Sequence, residues 1–514
     1  MRLQLVVLVV SLCLPAVAHA ATYRVGTSAA ATYRQLTELP ALGPGDVVEV
    51  EGGTDYAGDV VFDFDSDGTA AMPVIVRGLV DGGVTRPRLI GGRNTLELQG
   101  DHYVLENLDL SGGTARCLYH HADDITVRDS VVHDCPAQGI LGADNDSGSL
   151  TLERVEVHHC GAGDSQHQIY MATDEVAHPG SVFRMQYCWL HDANGGNNVK
   201  SRAERNEIYS NWIEGAYYHE LELIGPDPAG GVGQEVARED SDVVGNVLVK
   251  RGGNEGFSVV RFGGDATGQS EGRYRFAFNT VIVAPGAGAA VFRLFTRLES
   301  VEMHGNVFAM RGGGPVNLLH KIEAEWVRGR LVAGTNNWVS TDSTNVPPEW
   351  TGTLTGADPG LVDIDSLDTF DPSPASATSP VVDTGLSPTP AFADSPFTGP
   401  LDVPSASPVH GTGSVARPVV GVIDRGAYEL GSGPPPFDGG VTPPTDGGST
   451  PRVDGGARAD GGTGATTTPS DGGCGCRAAG ARTGATGPAL LAAALGLACA
   501  WRRRRAPLRR GASR

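Results

Sequence analysis

The chain has 514 residues and a formal net charge of −21. That charge argues against nucleic acid as a partner, and it means that an anionic ligand would need a local basic site or a bridging cation. The aromatic fraction is only 6%, yet hydrophobic residues reach 40%, enough to fill the narrow core of an elongated repeat.

In chain order, Arg2 precedes the apolar run 3–10, and Ala18-His-Ala20 follows. This is the pattern of a secretory signal peptide over 1–20, so an exported chain in which disulfides can form is expected. Residues 21–100 read as an N-terminal cap and first coils, with strands at Val47–Val50 and Val74–Val76. Asp63-Phe-Asp-Ser-Asp-Gly68 matches the front of a calcium loop, but the twelfth position is Val74 rather than a bidentate Glu, so an Asp-rich turn is expected.

Residues 101–340 carry the main repeat. One apolar position recurs as Leu110, Val132, Val157, Leu190, Ile213, Leu248, Val281 and Phe308, in steps of 22, 25, 33, 23, 35, 33 and 27 residues. Such periods mean a solenoid, propeller or array. The units show alternating apolar runs broken by Gly, Asn or Asp, which is the strand signal and not the helical one. Three short strands per turn account for both facts, so the expected fold is all-β, a right-handed parallel β-helix. The asparagines before the ladder position (Asn211, Asn246, Asn279, Asn306) suit turns with local side-chain bonds. Cys135 and Cys160 share a register, which suits a disulfide or two packed thiols, with Cys117 and Cys188 as the other candidates.

Several coils hold a further strand: Gln168-Ile-Tyr-Met171, Asn198-Val-Lys-Ser-Arg202, Glu220-Leu-Glu-Leu223, Ser258-Val-Val-Arg261 and Phe292-Arg-Leu294. With Ile169, Val199 and Leu221 inward, alternation gathers Tyr170, Lys200, Arg202, Glu220, Glu222 and Arg293 on one outer face, with Arg261 nearby. A long polar face suits a polymer. Cleaving a uronic-acid polysaccharide by β-elimination needs a base, a cation beside the carboxylate and an acid for the leaving oxygen. Lys200, Arg202 or Arg293, and Tyr170 would fill these roles, while Arg261, Arg293, Glu220 and Glu222 would bind substrate. The bland alternative is a solvated face with ion pairs such as Lys200–Glu222. Glu220 and Glu222 could instead be a hydrolytic pair, about 7 Å apart along a strand, or could hold calcium with Asp227. His133, His158 and His191 fall at one register; three stacked imidazoles could hold a metal, but the preferred reading is a corner ladder, so no residue is assigned to a metal. Trp189 and Trp212 could stack on sugars or fill corners.

The fragments Val131-Val-His-Asp-Cys135, Val157-His-His-Cys-Gly161 and Trp189-Leu-His-Asp-Ala-Asn-Gly195 resemble the right-handed β-helix superfamily that includes pectate and alginate lyases. Asn198-Val-Lys-Ser-Arg202 with Asn206–Ile213 is similar to the Lys-bearing coil of the chondroitinase-B and alginate lyase family, where a Lys and an Arg act in elimination. Asp358-Pro-Gly-Leu-Val, Ser379–Gly385 and Asp424-Arg-Gly-Ala-Tyr428 resemble the group's closing segment, which implies a C-terminal coil and cap over 341–431.

Residues 432–473 are rich in Gly, Pro and Asp and read as a disordered linker. Over 474–514, Cys474-Gly-Cys476, a short apolar run and Arg502–Arg505 resemble the MYXO-CTERM sorting signal, which implies display at the cell surface. The expectation is a monomer that meets the membrane only through this tail. Its expected partner is an acidic polysaccharide, with binding the first expectation and cleavage the further one, and with calcium the one cofactor considered. A non-catalytic adhesin is the alternative, and a glycoside hydrolase the third.

Overall fold

The computed structural model describes residues 20–432, apart from 143–144, 226–238, 253–257, 265–269, 288–289, 296, 323–325, 328, 368, 388, 390–400 and 402. The expected signal segment, Asp227 and the tail from 433 lie outside the described residues.

The fold is a right-handed parallel β-helix built of parallel sheets with 12, 12 and 10 strands. Each coil gives one strand to each sheet in turn. Ile125–Arg128 lies in the first sheet, Val131–His133 in the second and Gln138–Gly142 in the third, and the next coil restarts at Leu150–Glu153. The recurrent apolar position forms one unbroken register from Leu110 to Phe308 in the second sheet. Every member is fully buried. Alternate residues of all three sheets therefore point into one continuous apolar core.

The turn from first to second sheet is sharp because one residue adopts a left-handed backbone. Asp129, Arg154, Tyr187, Ser210 and Phe278 do so with φ between 51° and 60°. Gly245 and Gly305 take the same place with φ of 71° and 63°, where glycine bears no steric penalty. A Cβ on Gly305 would also lie 2.9 Å from the Phe278 ring.

The turn asparagines do not bond locally as expected. Asn211, Asn246, Asn279, Asn306 and Asn337 are fully buried and bond from coil to coil. The Oδ1 of each after Asn211 accepts the Nδ2–H of the asparagine before it, at 2.9 Å for Asn211 to Asn246 and 3.0 Å for Asn246 to Asn279. The same Oδ1 also accepts that residue's backbone N–H. Stacking at one inner corner makes the next coil, not the same turn, the nearest partner.

The cysteine expectation is also corrected. Cys117 and Cys135 form the disulfide, with Cα atoms 5.9 Å apart. Cys160 and Cys188 are buried thiols, both pushed up to about 12 by burial, which leaves them unreactive.

The C-terminal segment only begins as a cap. Trp350 covers the last coils, 5.9 Å from the Phe308 ring. The chain then runs back along the helix as a strap. Arg425 donates to the Asn337 carbonyl, Gly426 N–H to Gly305, Ser210 to the Ala406 carbonyl and Gly413 N–H to Tyr187. Ala427 and Tyr428 pack on Trp212, Val247 and Val249. This covering explains why the second sheet is apolar on both sides in its later coils.

Candidate functional site on the third sheet

The outward row of the third sheet is set by hydrogen-bond register. Tyr170 pairs with Lys200, Lys200 with Glu222, Glu222 with Arg261 and Arg261 with Arg293. The inward neighbours Met171, Leu223, Phe262 and Leu294 belong to the core, so this row faces out. Leu141, Tyr170 and Ala172 form a separate apolar patch outside it, with Tyr119 against them. Adjacent members of the row stand about 4.8 Å apart.

The row is not solvent-facing as expected. Lys200 is 5% exposed, Tyr170 7% and Glu222 3%. Arg261 and Arg293 are half-buried. The Lys200 ammonium makes no ion pair or hydrogen bond among the described residues, and Nζ lies 5.0 Å from the centre of the Tyr170 ring. Arg202 lies two residues on and is buried, with its Nη1 donating to the Gly225 carbonyl.

The expected Lys200–Glu222 ion pair does not form, although the two are register neighbours. Glu222 instead takes Arg261 and the Asn197 Nδ2–H. Burial works against its charged form, but Arg261 and then Lys200 hold its carboxyl far below the usual range. Phe295 lies against both arginines, its ring centre 3.8 Å from the Arg261 guanidinium and 4.3 Å from that of Arg293. Arg293 is three rungs from Lys200, roughly 14 Å. It cannot neutralise the carboxylate of the sugar that Lys200 would deprotonate, which leaves Arg202 for that role.

Sequence reasoning missed a parallel set. His167, Asn197 and His219 each precede Tyr170, Lys200 and Glu222 by three residues, and that repeated offset was the available signal. His167 Nδ1 accepts the Asn197 N–H at 2.9 Å, and His219 Nδ1 donates to the Ser258 carbonyl at 2.6 Å. Burial, with Lys200 next, pushes His167 down to about 3, and burial pushes His219 to the same value. His167 is therefore neutral, with its proton on Nε2, and that atom is buried without a hydrogen-bond partner.

Glu220 does not join Glu222. It lies one residue before its strand, fully buried at the corner. Asn198 Nδ2 donates to it at 2.6 Å and Ala216 N–H at 3.2 Å, and Lys250 Nζ lies 3.9 Å away. Burial raises it to about 7 and lowers Lys250. The two carboxylates have separate partners, Glu220 in the corner and Glu222 on Arg261, and Asp227, the third member of the calcium set, lies outside the described residues. At Asp63, Oδ1 accepts from Asp65 N–H and Ser66 Oγ, as in the Asp-rich turn expected there.

On the second sheet, His133, His158 and His191 stack as one ladder, ring centres 5.0 and 4.9 Å apart. Trp189 lies 3.8 Å from the His191 ring, and Trp212 is buried under the strap.

No family model matches the chain, and no curated protein matches it. Among solved structures it is similar to pectate lyase Pel9A, with 12% identity and a TM-score of 0.45 over 80% of this chain and 96% of that one. A rhamnogalacturonan lyase gives 10% identity and a TM-score of 0.40 over 62% and 87%. An alginate lyase from Paenibacillus sp. str. FPU-7 gives 14% identity and 0.34 over 61% and 93%. Likeness of this degree concerns the coil architecture and carries no activity across. The class defined here is that of parallel β-helix proteins.

Proposed function

We propose that the outward row of the third sheet binds an acidic polysaccharide and cleaves it by β-elimination. The observation that carries this is a row that holds Lys200, Arg261 and Arg293, joined by Arg202, with Glu222 the one carboxylate of that row among the described residues. In a chain of net charge −21 this is a concentrated cationic track. The rung spacing of ~4.8 Å is comparable to one sugar unit, so a uronate chain laid along the axis would meet one side chain per ring. Lys200, in its neutral amine form, would take the proton next to the carboxylate and become the ammonium, Arg202 would stabilise the charge that develops, and the Tyr170 hydroxyl would protonate the leaving oxygen. The free Nε2–H of His167 would donate to a substrate oxygen.

The burial of Lys200 and Tyr170 supports a second reading, in which the polymer is held by Arg261 and Arg293 and not cut. The test is incubation of the full chain with alginate, pectate and glycosaminoglycans, following the ultraviolet absorbance of unsaturated uronates. Elimination predicts product formation that falls about 10²–10⁴-fold in Lys200→Ala. Retention on a polymer that weakens in Arg261→Ala, with no product from any of them, would replace cleavage with adhesion.

A further inference from the structure

We infer that Glu156, His158 and His191 form a binding site for a divalent transition metal of the zinc class. Glu156 and His158 are i and i+2 in the strand Glu156–His158 and so lie on one outward side, with buried Val157 between them. His191 is the register partner of His158 on the next coil. Glu156 Oε1 lies 3.2 Å from His191 Nε2 and 3.8 Å from His158 Nε2. All three donor atoms fall within 4.8 Å of one another. Bonds of about 2.0 Å need donors ~3.3 Å apart in a tetrahedron, so a modest tilt of the two imidazoles closes the set.

The outer partners have the form that metal-bound histidines use. His191 Nδ1 lies 2.8 Å from Asp192 Oδ2, and Arg251 donates to the other oxygen of Asp192 at 2.6 Å. His158 Nδ1 lies 2.6 Å from His159 Nδ1. Each Nδ1 is thereby engaged and each Nε2 is turned to the shared centre. His133 is a useful contrast in the same stack. Its nitrogens are taken by Asp134 at 2.7 Å and by Asp109 at 2.9 Å, so its Nε2 is held by a carboxylate outside the three-residue group rather than by Glu156. Two imidazoles and one carboxylate leave a fourth position open, and side-chain exposures of 19% for His158 and 29% for Glu156 leave a way in. The ligands come from adjacent coils, so a bound ion would clamp those coils together.

The experiment is calorimetric titration of the metal-free full chain with Zn²⁺, paired with thermal melts. Any ion taken by Cys474 and Cys476 is common to all variants, so the difference between proteins is what counts. The site predicts one more equivalent bound by wild type than by His158→Ala or His191→Ala, and a rise in wild-type Tm with zinc that both variants lose. His102→Ala should behave as wild type, and Asp192→Asn should bind about 10-fold more weakly. Should either histidine variant fail to fold by circular dichroism, Glu156→Gln decides, with a loss of affinity of at least about tenfold expected. Equal stoichiometry and affinity in wild type and the folded variants would overturn the site, as would the absence of zinc binding by wild type.

Discussion

The outer faces of the first and third sheets solve the same problem in opposite ways. A solenoid repeats each outward position every ~4.8 Å, so like charges on adjacent coils repel. On the first sheet the row Arg184, Glu207, Asp242, Arg275 and Glu302 mixes its signs, and each of its two adjacent acids, Glu207 and Asp242, is held by an arginine. Arg275 holds Asp242 through two hydrogen bonds of 2.6 and 2.7 Å, and Glu207 takes both Arg184 and Arg205. The strap residues Leu401, Val403 and Ala406 close a cavity of about 350 Å³ over this face, but its charged lining is already paired. The third-sheet row has no such balance. Lys200 lacks an ion partner among the described residues, and two arginines follow one another. The first face therefore holds the coils together through its ion pairs, and the third is the face on which the proposed polyanion site lies.

That contrast can be broken by substitution. The largest expected effect is on the balanced face. Asp242→Ala strands a buried guanidinium and should cost about 3–5 kcal/mol in denaturant unfolding, with polymer binding intact. A loss of binding without a loss of stability would reverse the roles of the two faces.

Next is the buried corner behind the third sheet. Burial holds the folded pKa of Glu220 at about 7, above the usual glutamate value of 4.5. The folded state thus holds the proton more tightly, and the stability this confers is complete below the unfolded pKa and lost as pH rises through about 7. The difference amounts to about 3 kcal/mol. Melting wild type against Glu220→Gln from pH 4 to 8 should show the variant gaining ground as pH rises. A gap that does not change with pH means that Lys250 and Asn198 keep Glu220 ionised.

Lys200→Met should act oppositely to Asp242→Ala. Removing a buried amine with no ion partner should leave stability unchanged or raise it by about 1–2 kcal/mol, while any cleavage is lost. Destabilisation would assign Lys200 a structural role. The smallest effect belongs to the rim of the first face. Arg184 is 45% exposed, and Arg184→Ala should cost under about 1 kcal/mol, less at high salt.

Much of the third-sheet row was legible because strand alternation is local. Tyr170, Lys200, Glu222, Arg261 and Arg293 each follow an apolar residue of the inner row, and the structure keeps all five in one register. Glu220 was misplaced because it sits before the strand begins, where alternation no longer fixes direction. His167 and His219 were passed over for the same reason, since they lie at the corner. The histidine ladder was seen, but Glu156 beside it was not, because a carboxylate two residues ahead of an imidazole is common in strands. The disulfide could not be chosen because stacked coils offer each cysteine a partner both above and below.

The sequence by itself determined the coil. The recurrent apolar position, the period-two alternation and the left-handed turn residues are short-range properties that each unit carries alone. Only the tertiary structure decided which side chains meet. Loops of unequal length separate the units, so the register that puts Lys200, Glu222 and Arg261 on successive rungs comes from hydrogen bonding between whole coils. The strap was likewise settled by folding, because its partners include Ser210 and Glu214, each 196 residues before its strap contact, and Tyr187, earlier still.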